Sequence, residues 1–225
     1  GGAAAAYGSA AGLPVHVVAP TDTPIPILAE MRALGADLQL IDGLITDCGR
    51  EVRKGVEQHG WFDLSTLKEP YRVEGKKTMG YELFEQLGGR LPDGIVYPTG
   101  GGTGLIGMWK AFKEMMQLGW ITGYLPRMVA VQSDGCAPVV DAFLHNASST
   151  QFWENSDTAA LGLNVPGPLG GPWMLRVLYE SNGTALCVKE QELESATQEI
   201  KRVSGINTSE EGGAVWSAFQ TLVAE

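Results

Sequence analysis

Gly100-Gly101-Gly102-Thr103-Gly104, entered through Tyr97-Pro98-Thr99, stands between a short apolar run and a long amphipathic pattern. Consecutive glycines carry no side chain to hold a ligand off the backbone. Successive N–H groups can then converge on an anion, and the helix that follows adds its N-terminal dipole. The chemistry on offer is the binding of a phosphate. The pattern is neither a P-loop, which ends Gly-Lys-Ser/Thr, nor the G-x-G-x-x-G of dinucleotide sites. Turns of this kind also arise where a strand and a helix pack closely, and the loop by itself leaves that reading open.

The remaining reactive side chains make no second constellation. His16 falls inside an apolar run and reads as a core histidine, and His59 reads as a helix-terminal cap. His145 and Asp141 are four apart without a third partner, and Ser9 and Ser133 lack the G-x-S-x-G setting of a hydrolase nucleophile. Cys48, Cys136 and Cys187 are isolated, which fits a reducing cytoplasm and supplies no metal-ligand spacing; Cys136 follows a strand end and reads as a small core residue. All eight lysines read as solvated.

The elements that must carry the glycine loop alternate. Strands are expected at 15–19, 38–41, 94–97, 128–131 and 185–188. Helices are expected at 25–34, 45–59, 80–87, 105–118, 139–144 and 191–203, and from about 213 onward. Strands separated by helices pair in parallel, so the fold class is α/β with open, doubly wound, mostly parallel sheets and the loop at the carboxyl end of a strand. Residues 150–172, rich in Gly, Pro and Asn, read as an irregular crossover or lid anchored by burial of Trp153 and Trp173. The chain has 225 residues, is 44% hydrophobic and 19% charged, and carries a net charge of -10, which argues for a globular protein and against a nucleic-acid partner. No apolar run reaches the roughly 20 residues of a membrane span, and the first residues lack the basic flank of a signal peptide, so a cytoplasmic protein is expected.

Glu74-Gly75-Lys76-Lys77-Thr78-Met79-Gly80-Tyr81-Glu82-Leu83 followed by Tyr97-Pro98-Thr99-Gly100-Gly101-Gly102-Thr103-Gly104 resembles the threonine synthase family, pyridoxal-phosphate enzymes of fold type II. Leu64 to Arg72, Met128 to Gln132 and Glu211-Gly212-Gly213-Ala214 extend the likeness over most of the chain. The resemblance implies that Gly100, Gly101, Gly102, Thr103 and Gly104 grip the phosphate of pyridoxal 5′-phosphate. It also implies that Arg72 binds the phosphate of O-phospho-L-homoserine, which reacts with water to give L-threonine and phosphate. A surface arginine paired with Glu69 or Glu74 is the other reading of Arg72. The family's Asn-Ser at the positions of Thr66 and Leu67 is absent.

By the same resemblance, the lysine that carries the cofactor as a Schiff base lies upstream of Gly1, and the partner of the pyridine nitrogen lies beyond Glu225. The chain is therefore expected to be an internal piece of a longer enzyme, with no catalytic residue of its own and no activity alone. Phosphate or sulfate would occupy its loop. Residues 1–86 would supply most of a smaller, mobile domain and 87–225 most of a larger, phosphate-binding one. A small amino-acid substrate and a homodimer are implied, with no nucleic-acid or membrane partner. Threonine dehydratase, diaminopropionate ammonia-lyase and a non-catalytic phosphate-binding remnant are the alternatives.

Overall fold

The computed structural model describes residues 1–224. Two compact units divide between Ser65 and Thr66. In the first, helix α1 (Gly2–Ala10) precedes strand β1 (His16–Pro20), helix α2 (Ile25–Ala33), strand β2 (Asp37–Ile41) and helix α3 (Ile45–His59). β1 and β2 pair in parallel with His16 opposite Asp37. Their small core is Ala5, Ala19, Leu28, Met31 and Ala36. His16 is not a core residue. It is the first residue of β1 and is exposed, its Nδ1 lies 3.0 Å from Asp37 Oδ2, and its ring stacks on Trp61 at 4.3 Å. The apolar run predicts burial, but position at the strand's end, opposite an acidic residue, brings the ring to the surface.

The second unit holds helices α4 (Tyr71–Lys76) and α5 (Thr78–Gln86), then β3 (Gly94–Pro98), α6 (Thr103–Gln117), β4 (Arg127–Ser133) and α7 (Pro138–Leu144). α8 (Gly171–Glu180), β5 (Thr184–Val188), α9 (Leu193–Ser204) and α10 (Glu210–Ala224) complete it. β3, β4 and β5 form a parallel sheet in that order, with Val96 opposite Val129 and Val131 opposite Leu186. Alternation along β4 sends Met128 and Ala130 to a core shared with α6, α7 and α8, and Val129 and Val131 to one shared with Leu193, Ala214 and Ala218. Helices thus cover both faces, as the α/β pattern requires.

α4 and α5, on the N-terminal side of the 86/87 division expected from sequence, pack on α6. The approach is close because Gly80 leaves room that a Cβ would take up 2.8 Å from Ala111 Cβ. Between α7 and α8 the only regular piece among the described residues is a 3-10 turn, Leu161–Leu163, and Ala160 and Leu163 are buried. Helix α8 is an addition to the sequence reading. It buries Met174, Leu175, Val177 and Leu178, so Trp173, on its outer side, is 52% exposed and does not anchor the crossover by burial. Trp153 does pack against the core. No helix among the described residues is long and apolar enough to cross a membrane.

Candidate functional site

β3 delivers the chain to the loop through a fixed post. Thr99 N–H donates to Val131 O at 2.9 Å, its hydroxyl donates to Tyr97 O at 2.9 Å, and its carbonyl accepts from Gln132 Nε2 at 2.9 Å. Beyond Thr99 the chain leaves the sheet and turns through Gly100–Gly102 into α6. The first helical bond runs from Ile106 N–H to Gly102 O at 3.0 Å. Among the described residues, the N–H groups of Gly100, Gly101, Gly102, Thr103, Gly104 and Leu105 have no protein acceptor, nor does the Thr103 hydroxyl have a partner. Of these residues only Gly101 is not fully buried. Helix starts always orphan their first N–H groups, yet buried donors without a partner are rare in native proteins. Consecutive free donors at the start of a 15-residue helix make a seat for an anion.

The glycines serve a different purpose from the one their composition suggests. A Cβ on Gly100 would strike the carbonyl oxygen of Gly162, and one on Gly102 would strike Met174 Sδ. Gly102 also has φ +86°, a left-handed conformation that side chains disfavour. At Gly101 the neighbour is Thr66 Cγ2 at 3.0 Å, and at Gly104 it is the Tyr97 hydroxyl. The vacated space is taken by protein, so the close-packing reading holds at these positions. The N–H groups on the other side of the backbone are the ones left without a protein acceptor.

Thr66 links the loop to Arg72. It lies against Gly101, and its hydroxyl accepts from Arg72 Nη1 at 3.0 Å. Leu67 follows at φ +60°, a costly conformation for a branched residue, and turns the chain toward α4. Glu69, 9% exposed, spends its carboxylate on the α4 start, accepting the N–H groups of Tyr71 and Arg72. Glu74 bridges Lys77 and Lys110.

Those lysines correct the expectation of uniformly solvated side chains. Lys77 is only 16% exposed and lies 2.7 Å from both Glu114 and Glu74. Glu114, then Glu74, holds its ammonium well above the ordinary lysine range, and Lys110 is raised likewise by Glu74 and Glu114. In return Lys77 and Lys110 hold the Glu114 carboxyl down to about 2. Amines locked as ammonium in this way are poor nucleophiles.

Two supports of the loop escaped sequence reasoning as functional residues. Gln132, wholly buried, takes the Thr99 carbonyl and also accepts the N–H groups of Val139 and Val140 at 2.8 and 3.2 Å. A glutamine ending the apolar run Met128-Val129-Ala130-Val131 is the signal that could have exposed it. Glu211, at the start of α10, accepts Gly162 N–H at 2.7 Å and so steadies the turn that lies on Gly100. Burial pushes the Glu211 carboxyl up, but bonds from Ser209 and Gly162 outweigh it and leave the group below its ordinary value. No group of three or more His, Cys, Asp or Glu among the described residues could hold a metal.

Residues 1–225 match the model of the pyridoxal-phosphate dependent enzyme family. The chain is 33% identical over 222 residues to the threonine synthase of Methanosarcina acetivorans and 28% identical over 222 residues to that of Methanocaldococcus jannaschii. Each alignment covers 98% of this chain and 54% of the relative, so the chain spans about half the length of the curated relatives it matches. Among solved structures, maize serine racemase superposes with a TM-score of 0.79 at 19% identity, covering 96% of this chain and 62% of that one. The fungal L-serine ammonia-lyase of Rhizomucor miehei superposes with a TM-score of 0.77 at 20% identity, covering 94% of this chain and 64% of that one. These two share the fold.

Proposed function

The chain belongs to the family of pyridoxal-phosphate dependent enzymes, and from that premise we propose that the N–H groups of Gly100 through Leu105, with the Thr103 hydroxyl, hold the phosphate of pyridoxal 5′-phosphate. The observation that carries this is the run of N–H groups without a protein acceptor. The residues present fit the group: a dianionic phosphate needs several donors, and here they come preassembled on a helix start. When bound, the cofactor supplies an electron-withdrawing ring that stabilises negative charge on the amino-acid carbon beside it.

The reaction we assign to the protein that contains this chain is that of threonine synthase, O-phospho-L-homoserine and water giving L-threonine and phosphate. Similarity to two threonine synthases along nearly the whole chain supports it. In this reading Arg72, steadied by Thr66 beside the loop, binds and orients the substrate's phosphate through its planar guanidinium. The backbone cradle holds the cofactor's own phosphate, and the two anions sit in one neighbourhood without sharing donors. Lys77 and Lys110, kept as ammonium, hold their protons on Nζ and take no part in proton transfer. We assign the 225-residue chain by itself a binding role without turnover, and the working protein a cytoplasmic homodimer.

The test is isothermal titration of the chain with pyridoxal 5′-phosphate and with pyridoxal, which lacks the phosphate. Charge-assisted bonds to the cradle should make the phosphorylated form bind at least about tenfold tighter. Equal affinities would overturn the assignment of the loop.

A further inference from the structure

We propose that Gln132 is a positioning residue that aims the first donor of the anion cradle. The inference rests on the reading of Gly100 through Leu105 as a phosphate seat. Gln132 is 0% exposed at the end of β4, and each end of its amide is used. Nε2 donates to Thr99 O at 2.9 Å, while Oε1 accepts from Val139 and Val140 N–H at the start of α7. The peptide that joins Thr99 to Gly100 is planar and trans, so its C=O and N–H point in opposite directions. Fixing the carbonyl toward Gln132 therefore fixes the Gly100 N–H away from it. That N–H is the first of the run without a protein acceptor.

Nothing else on Thr99 performs this task. Its N–H and hydroxyl are engaged with Val131 O and Tyr97 O, which set the strand end but make no bond to the next peptide plane. An apolar side chain at 132 would leave the Thr99 carbonyl buried and without this donor, and a rotated peptide would be the relief. The glutamine acts at a distance from any ligand, through the orientation of one backbone group.

The test uses sulfate, which stays dianionic across the range used, titrated into 15N-labelled protein at about pH 5.5 and about pH 8.5. In the wild type the amide signals of Gly100 to Leu105 should move at both values. Gln132→Met keeps the volume and drops all three bonds; sulfate affinity should fall roughly three- to tenfold at both pH values, with the largest loss of shift at Gly100. Gln132→Glu keeps the acceptor for α7. When ionised it presents an oxygen to the Thr99 carbonyl, and when protonated it can donate as the amide did. It should bind weakly at the higher pH and recover at the lower.

Wild-type affinity in Gln132→Met would overturn the inference, as would an equal, pH-independent loss in both variants, which marks a merely structural role. A wild type whose six amides ignore sulfate would instead overturn the phosphate reading itself.

Discussion

Replacing Gly102 by alanine tests whether the loop's shape is dictated by its own backbone and by α8. Two separate costs arise. The backbone at φ +86° must carry a Cβ in the left-handed region, which costs about 1–2 kcal/mol. The Cβ also falls on Met174, whose side chain is fully buried, adding about 1–3 kcal/mol of overpacking. The sum, about 2–5 kcal/mol, is a large part of the roughly 5–15 kcal/mol that holds a native protein together. Equilibrium urea unfolding of Gly102→Ala measures it. The second term is isolated by a cycle with Met174→Ala. Truncating Met174 alone should cost about 2–5 kcal/mol, but about 1–3 kcal/mol less once the alanine at 102 occupies the vacated space. A Gly102→Ala cost below about 1 kcal/mol, or a Met174→Ala cost that is the same in both backgrounds, would refute the reasoning.

Arg72→Ala in the full enzyme should lower kcat/KM for O-phospho-L-homoserine by about 10- to 100-fold, the worth of charged hydrogen bonds to one phosphate, while leaving affinity for pyridoxal 5′-phosphate unchanged. An unchanged kcat/KM would shift the reading toward a lyase of unphosphorylated hydroxy amino acids. Acid should act through Glu114 and Glu180. Lys77 and Lys110 depress the first to about 2, and Trp109, Arg176 and Lys113 depress the second to about 2. Carboxyl groups depressed on folding stabilise fully above their unfolded value and lose that contribution as pH falls through the folded one. The urea midpoint should therefore drop between about pH 4.5 and pH 2. Glu114→Gln should remove part of that drop, roughly 1 kcal/mol after solvent screening, as read from midpoints at pH 2 and pH 7.

Much of the architecture was legible because it is local. Alternating β-branched runs and amphipathic stretches place all five strands, and the glycine run marks the turn between β3 and α6. What sequence could not show was which side of each glycine is filled by protein. That depends on Gly162, Thr66 and Met174, distant residues that close on Gly100, Gly101 and Gly102. Periodicity misled at His16, where an apolar neighbourhood conceals a strand end. It misled again at Trp173, whose size suggests burial although Met174, Val177 and Leu178 already claim the inner face of α8. Lys77 looked solvated because Glu114, one of its two partners, lies far along the chain on α6. Arg72 and the loop were legible as separate motifs, while their link through Thr66 was not.

The turn at Leu161–Leu163, pressed on Gly100 and tethered to Glu211, bears on the order in which the molecule matures. During synthesis the glycine run leaves the ribosome long before Met174, Gly162 and Glu211 exist to shape it. The cradle must stay unformed while β3, β4 and α6 assemble, and it takes its final shape only when α10 brings Glu211 to the turn. Closing such long loops is slow, since the entropy is lost before the contacts reward it. An anion with affinity only for the finished seat would favour that last step by mass action, so phosphate in the medium should raise the yield of refolding as well as the stability of the product.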